Sequence, residues 1–84
     1  MLDLENFKEI LQEILNRQVE ISLESNAQSV NGWDSLNHIF LLLALEKKFS
    51  FRFRIGEAET AQNVAELIAI VNKRIAVANE KLES

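Results

Sequence analysis

The sequence predicts an all-α bundle of three main helices plus a short third helix. Three observations carry that expectation: apolar residues recur at spacings of three and four in separate segments, capping residues stand in front of those segments, and the one strand-like stretch has nothing to pair with. There is no proline, no repeat and no linker, so residues 1–84 are expected to form one domain.

The first helix is expected over residues 3–16. Leu4, Phe7, Ile10, Leu11, Ile14 and Leu15 share one face, and Glu5, Lys8, Glu9, Gln12 and Glu13 take the other. Asp3 is a fitting N-cap, with Leu2 and Phe7 at the spacing of a hydrophobic staple around it. The pattern then lapses over residues 17–33, where Ser, Asn, Gln and Gly gather around Val19, Ile21 and Leu23 and Asn31-Gly32 signals a turn. A loop of that length in a small domain has a job or hides a short element. Its spaced aliphatics suggest that it is pinned across the bundle.

The second helix is expected over residues 35–49, with Asp34 as N-cap and Lys47-Lys48 at the negative end of its dipole. Its apolar content is wider than one buried stripe needs: Leu36, Ile39, Phe40, Leu41, Leu42, Leu43 and Leu45. Some of these must face a partner or solvent. Residues 50–55 alternate like a strand but read as an extended connection that buries Phe51 or Phe53. Residues 56–61 suit a short helix of one or two turns. Asn63 caps the last helix, with Glu66 placed as in a capping box and Val64, Leu67, Ile68, Val71 and Ile75 forming its buried face. Residues 79–84 are expected to fray.

Composition narrows the chemistry. The longest apolar run, Ile39 to Leu45, is too short to span a bilayer, and the acidic N-terminus is unlike a targeting segment, so a cytoplasmic protein with no membrane insertion is expected. The chain has no cysteine, which removes disulfides, thiolate metal sites and thiol catalysis. One histidine cannot build a typical zinc site. The net charge is −4, and the basic stretch Lys47, Lys48, Arg52 and Arg54 is too short for a nucleic-acid surface. That stretch reads as a solvated connection.

The residues that draw notice are Gly32-Trp33-Asp34-Ser35-Leu36, a loop that ends in a helix. A serine at the first helical position lies near free backbone N–H groups and the positive end of the dipole, where an attached phosphate is stabilised. With Asp34 as the cap, the Ser35 hydroxyl is left available. On local chemistry alone, Asp34-Ser35 also reads as an ordinary helix start. His38 lies one turn from Ser35, but no second histidine and no Gly-x-Ser-x-Gly elbow accompany it. It reads as a helix-surface residue, and the chain as no enzyme. Trp33 is expected to pack the loop down, with contact to a group on Ser35 as the alternative.

The run Trp33-Asp34-Ser35-Leu36-Asn37-His38-Ile39, continued by Leu43-Ala44-Leu45-Glu46 and Phe49, resembles the Asp-Ser-Leu signature and second helix of acyl carrier proteins. Phe53, Glu57-Ala58-Glu59, Asn63-Val64 and Glu66-Leu67 extend the resemblance from Val30 to Val71. It implies a four-helix acyl-carrier-like bundle and a 4'-phosphopantetheine arm, moved from coenzyme A onto Ser35 by a phosphopantetheinyl transferase. The terminal thiol would then carry an acyl group as a thioester between acyl-loading and acyl-transferring enzymes, as in fatty-acid-like biosynthesis. It also implies an apolar cleft for the cargo, for which Ala58 and Ala61 could leave space; close packing would explain them equally well.

The same resemblance points to Asp34, Leu36, Asn37, Phe40 and Leu43 as partner-facing residues. Here the chain departs from the family's pattern. Asn37 and Phe40 stand where fatty-acid carriers usually have acids, as do Lys47-Lys48. Charge complementarity mainly sets partner choice and encounter rate. A specialised, monomeric carrier with dedicated enzymes is therefore expected. Phe40 is either an apolar contact or a core residue. Two other readings stay open: an aminoacyl or peptidyl carrier with the same arm, and a helical interaction module with unmodified Ser35.

Overall fold

A computed structural model describes residues 1–83 and has the expected all-α architecture. The chain forms α1 (Leu4–Leu15), α2 (Ser35–Phe49), a single 3-10 turn (Ala58–Thr60) and α3 (Val64–Glu83). No strand occurs among the described residues. α3 continues through Glu83, and of the tail expected to fray, Ser84 lies outside the described residues.

α1 begins where its cap allows. Asp3 accepts a hydrogen bond from the Asn6 N–H at 2.8 Å, satisfying one of the donors that a helix start leaves open. Its apolar face supplies Phe7, Ile10 and Leu11, all buried. Removing each such side chain from water stabilises the fold by about 1.5–3 kcal/mol. α1 ends at Asn16, which adopts the left-handed conformation at φ 56°. Leu2, also buried, is held at the other end of the sequence: its N–H donates to Asn72 Oδ1 at 2.8 Å and its carbonyl accepts from Asn72 Nδ2 at 2.9 Å.

α1 packs against both α2 and α3. Leu41 and Leu45 of α2 and Val64, Leu67 and Val71 of α3 close the core around it. The long loop is pinned as its aliphatics suggested. Val19 and Val30 are buried and Ile21 is half-buried, although Leu23 turns out to solvent. The loop backbone has a second task. The Ser25 and Leu23 carbonyls accept from the Val64 and Ala65 N–H groups at 2.8 and 2.9 Å, so the loop caps the start of α3. Asn63 Oδ1 adds a bond from the Glu66 N–H at 2.9 Å. The capping box is displaced by one residue, because Glu66 takes the Gln62 N–H and not that of Asn63.

Of the connection expected over residues 50–55, residues 51–54 are free of helix and turn, whereas Ser50 takes the left-handed conformation that ends α2 and Ile55 begins the next turn. Phe51 is buried, and Phe53 meets it edge-on with ring centroids 4.9 Å apart. The helix expected over residues 56–61 is smaller than the sequence suggested. Gly56 at φ +80° prevents a helical start, and Ala61 is already extended. What remains is the 3-10 turn, with Ala58 buried. The turn is tethered to α3 by Glu57, which receives Arg74 Nε at 3.0 Å and Nη2 at 2.9 Å, and the Arg54 N–H. No helix among the described residues is long and apolar enough to cross a membrane.

Candidate functional site

Ser35 is the first residue of α2 and is exposed. The loop before it is shaped by three local devices. Gly32 has φ +93°, a backbone conformation that a side chain would strain. Asn37 Nδ2 donates to the Gly32 carbonyl at 2.8 Å. Asp34 Oδ1 accepts from the Asn37 N–H at 2.9 Å, while the Asp34 carbonyl receives the His38 N–H at 2.8 Å. Asp34 thus does the capping, and the Ser35 hydroxyl enters no hydrogen bond among the described residues. A charged oxygen built onto that hydroxyl would sit at the positive end of a fifteen-residue helix.

Trp33 anchors this corner. It is buried, its ring lies 5.9 Å from that of Phe7, and its indole N–H donates to His38 Nδ1 at 3.1 Å. The loop-packing role expected for Trp33 is therefore present. The expectation for His38 needs correction. It is not a plain helix-surface residue but is half-buried against Trp33, with ring centroids 5.9 Å apart. Burial pushes its pKa below the ordinary imidazole value, partly opposed by the Glu59 carboxylate. Trp33 and His38 stand at the N′ and N4 positions around the Asp34 cap, the spacing that Leu2 and Phe7 have around Asp3, so their proximity was a signal in the sequence, although the hydrogen bond between the rings was not.

An open cleft of about 800 Å³ lies beside Ser35. The long loop, the first turns of α2, the 3-10 turn and the start of α3 form its walls. Ile39, Ala58, Ala61 and Leu67 give it an apolar lining, Ala58 being at the same time closely packed in the core; His38 and Glu59 are among its polar groups. Ser35 and the cleft are contiguous, because Asp34 and Ser35 are themselves among its lining residues.

Of the residues expected to face partners, Leu36, Phe40 and Leu43 are exposed, at 60, 48 and 57%. Those values decide the alternative left open for Phe40: it is not a core residue. Asp34 is exposed as well and Asn37 is half-buried, and each engages one side-chain atom in the cap or the loop, Asp34 Oδ1 and Asn37 Nδ2. Ile39, 53% exposed, belongs to the same stripe and was missed. Its place three residues after Leu36 and four before Leu43 was the available signal. Ile55, fully exposed beside Arg54, was also passed over. α2 has a single acid, Glu46, and it is committed to the Phe53 N–H at 2.8 Å.

No family model and no curated protein matches the chain. Among solved structures, it is similar to the solution NMR structure of the holo acyl carrier protein from Geobacter metallireducens. The two share 28% sequence identity and superpose with a TM-score of 0.84, over 95% of this chain and 93% of that one. The chain has the fold of an acyl carrier protein, a carrier and not an enzyme.

Proposed function

We propose that the protein carries acyl groups as thioesters on a 4'-phosphopantetheine arm attached to Ser35, with residues 1–84 acting as one carrier domain. One observation carries the reading: an exposed, uncommitted hydroxyl at the N-terminus of α2, with Asp34 as the cap, opens directly onto a largely apolar cleft. Such a hydroxyl can be modified without loss of a structural bond. The similarity to a holo acyl carrier protein supports the same reading. On this reading the carrier meets a phosphopantetheinyl transferase and then acyl-loading and acyl-transferring enzymes of lipid biosynthesis, and works as a cytoplasmic monomer.

The partners are of a particular kind. α2 presents Leu36, Ile39, Phe40 and Leu43 outward, ends in exposed Lys47 and Lys48, and has no free acid. That surface suits enzymes that dock through apolar contact and tolerate or oppose positive charge. It supports a specialised carrier over a general fatty-acid one. Efficient turnover of the loaded protein by general fatty-acid enzymes would refute this part of the reading.

The test of attachment is intact mass after incubation with coenzyme A and a promiscuous phosphopantetheinyl transferase. The expected outcome is a gain of one arm, absent in Ser35→Ala. No gain, under conditions that modify a known carrier, would favour a helical interaction module that uses the α2 stripe.

A further inference from the structure

The indole of Trp33 can only donate a hydrogen bond. The imidazole atom that it meets, His38 Nδ1 at 3.1 Å, must therefore be an acceptor. In neutral His38 the proton then resides on Nε2, and the donor tautomer is fixed by a residue that is itself held in the core. Burial favours that neutral form. The Nε2–H has no partner among the described residues. His38 nevertheless lines the cleft whose rim carries Ser35, and residues three apart on a helix lie about 5–6 Å from each other. An arm that leaves Ser35 and enters the cleft therefore has this ring on the wall beside its attachment end.

We propose that His38 is a positioning residue whose Nε2–H holds an acceptor oxygen of the group attached to Ser35, while Nδ1 stays on Trp33. This rests on the attachment reading above. The ligand chemistry is an acceptor oxygen. It has two possible sources: the phosphopantetheine arm itself, through a phosphate oxygen or an amide carbonyl near Ser35, or an oxo group of the acyl cargo where the arm folds back into the cleft. Beside the Gln28 and Gln62 amides on the same lining, the site adds a donor held in one direction, and so favours an ordered arm or an oxygenated cargo over a plain alkyl chain. Glu59, on the opposite wall, is the one carboxylate that acts on His38 and is the competing acceptor within the chain.

The test reads solvent exchange of the His38 Nε2–H by NMR in four forms: unmodified, arm-loaded, loaded with a saturated short acyl group, and loaded with the matching 3-oxoacyl group. Each loading is verified by mass. Exchange slowed roughly tenfold, the effect of one hydrogen bond, already in the arm-loaded form assigns the acceptor to the arm. Slowing confined to the 3-oxoacyl form assigns it to the cargo. Equal exchange in all four forms overturns the inference while leaving attachment intact. Slowing that disappears in Glu59→Gln makes the carboxylate the acceptor and overturns it too. Failure to gain the arm removes both the attachment reading and this one.

Discussion

α1 and α2 are both rich in leucine, isoleucine and phenylalanine, yet they use those residues differently. Every apolar residue of α1 is buried or packed against the core, from Leu4 to Leu15. α2 buries only Leu41 and Leu45 completely and leaves Leu36, Ile39, Phe40 and Leu43 in solvent. Folding therefore accounts for the composition of α1 but not for that of α2. An apolar stripe that the core does not require is evidence of contact with something else. The stripe begins beside Ser35, so the helix that presents the proposed attachment point also presents the surface around it.

The largest expected effect tests that division inside α2 itself. Leu45→Ala should destabilise the protein by about 2–5 kcal/mol, since Leu45 is fully buried. Leu43→Ala, two residues earlier and exposed, should stay within about 0.5 kcal/mol. Urea unfolding of the two variants measures both. A large cost for Leu43→Ala would mean that its side chain supports the fold and would remove it from the docking stripe.

A smaller effect is expected at the tether between the 3-10 turn and α3. Glu57 and Arg74 side chains are only 17 and 13% exposed. Glu57→Gln keeps the shape but loses the charge, and should cost about 1–3 kcal/mol by the same unfolding measurement. The acid limb should change as well. Burial alone would push the Glu57 carboxyl up, but the Arg54 N–H and the Arg74 guanidinium together hold it below its ordinary value. A carboxylate with a lowered folded pKa contributes stability above its unfolded pKa and loses it as pH falls through the folded one. That loss should be missing in Glu57→Gln.

The difference between helices also marks what the sequence could reveal. The amphipathic period of α1 fixed its face completely. In α2 the apolar residues nearly encircle the helix, so periodicity could establish that a surplus existed without naming which side was buried. Ser35 and its cap were legible because helix-start chemistry is local, within three residues. The Glu57–Arg74 tether and the Leu2–Asn72 clasp were not, because they join groups brought together only by the tertiary fold. The third helix shrank to a turn for a reason partly visible beforehand: Gly56 takes a positive φ.

His38 offers a pH test at the start of α2. Its folded pKa is lowered by burial, so the unfolded chain takes up the proton first, near the ordinary value of about 6.5. Between that pH and the folded pKa the unfolded state binds more protons than the native one. Stability should therefore fall as pH drops through this window and be level above it. In His38→Gln, thermal unfolding across the same range should lose that slope. A slope that survives the substitution would place its origin elsewhere.

The smallest predicted effect compares how the two helices end. Both finish on a non-glycine residue in the left-handed conformation, Asn16 at φ 56° and Ser50 at φ 54°. In each case the cap N–H and the next one reach back to the same carbonyl, that of Gln12 or of Glu46. Asparagine adopts this conformation more readily than serine, because its short amide can bond locally. Glycine adopts it without steric cost. Ser50→Gly should therefore stabilise the protein by about 0.5–1 kcal/mol, and Asn16→Gly by less. Parallel thermal unfolding of the two variants decides this. Equal gains would mean that Asn16 receives no local relief, whereas a loss at Ser50 would mean that the serine side chain makes a compensating contact at the end of α2.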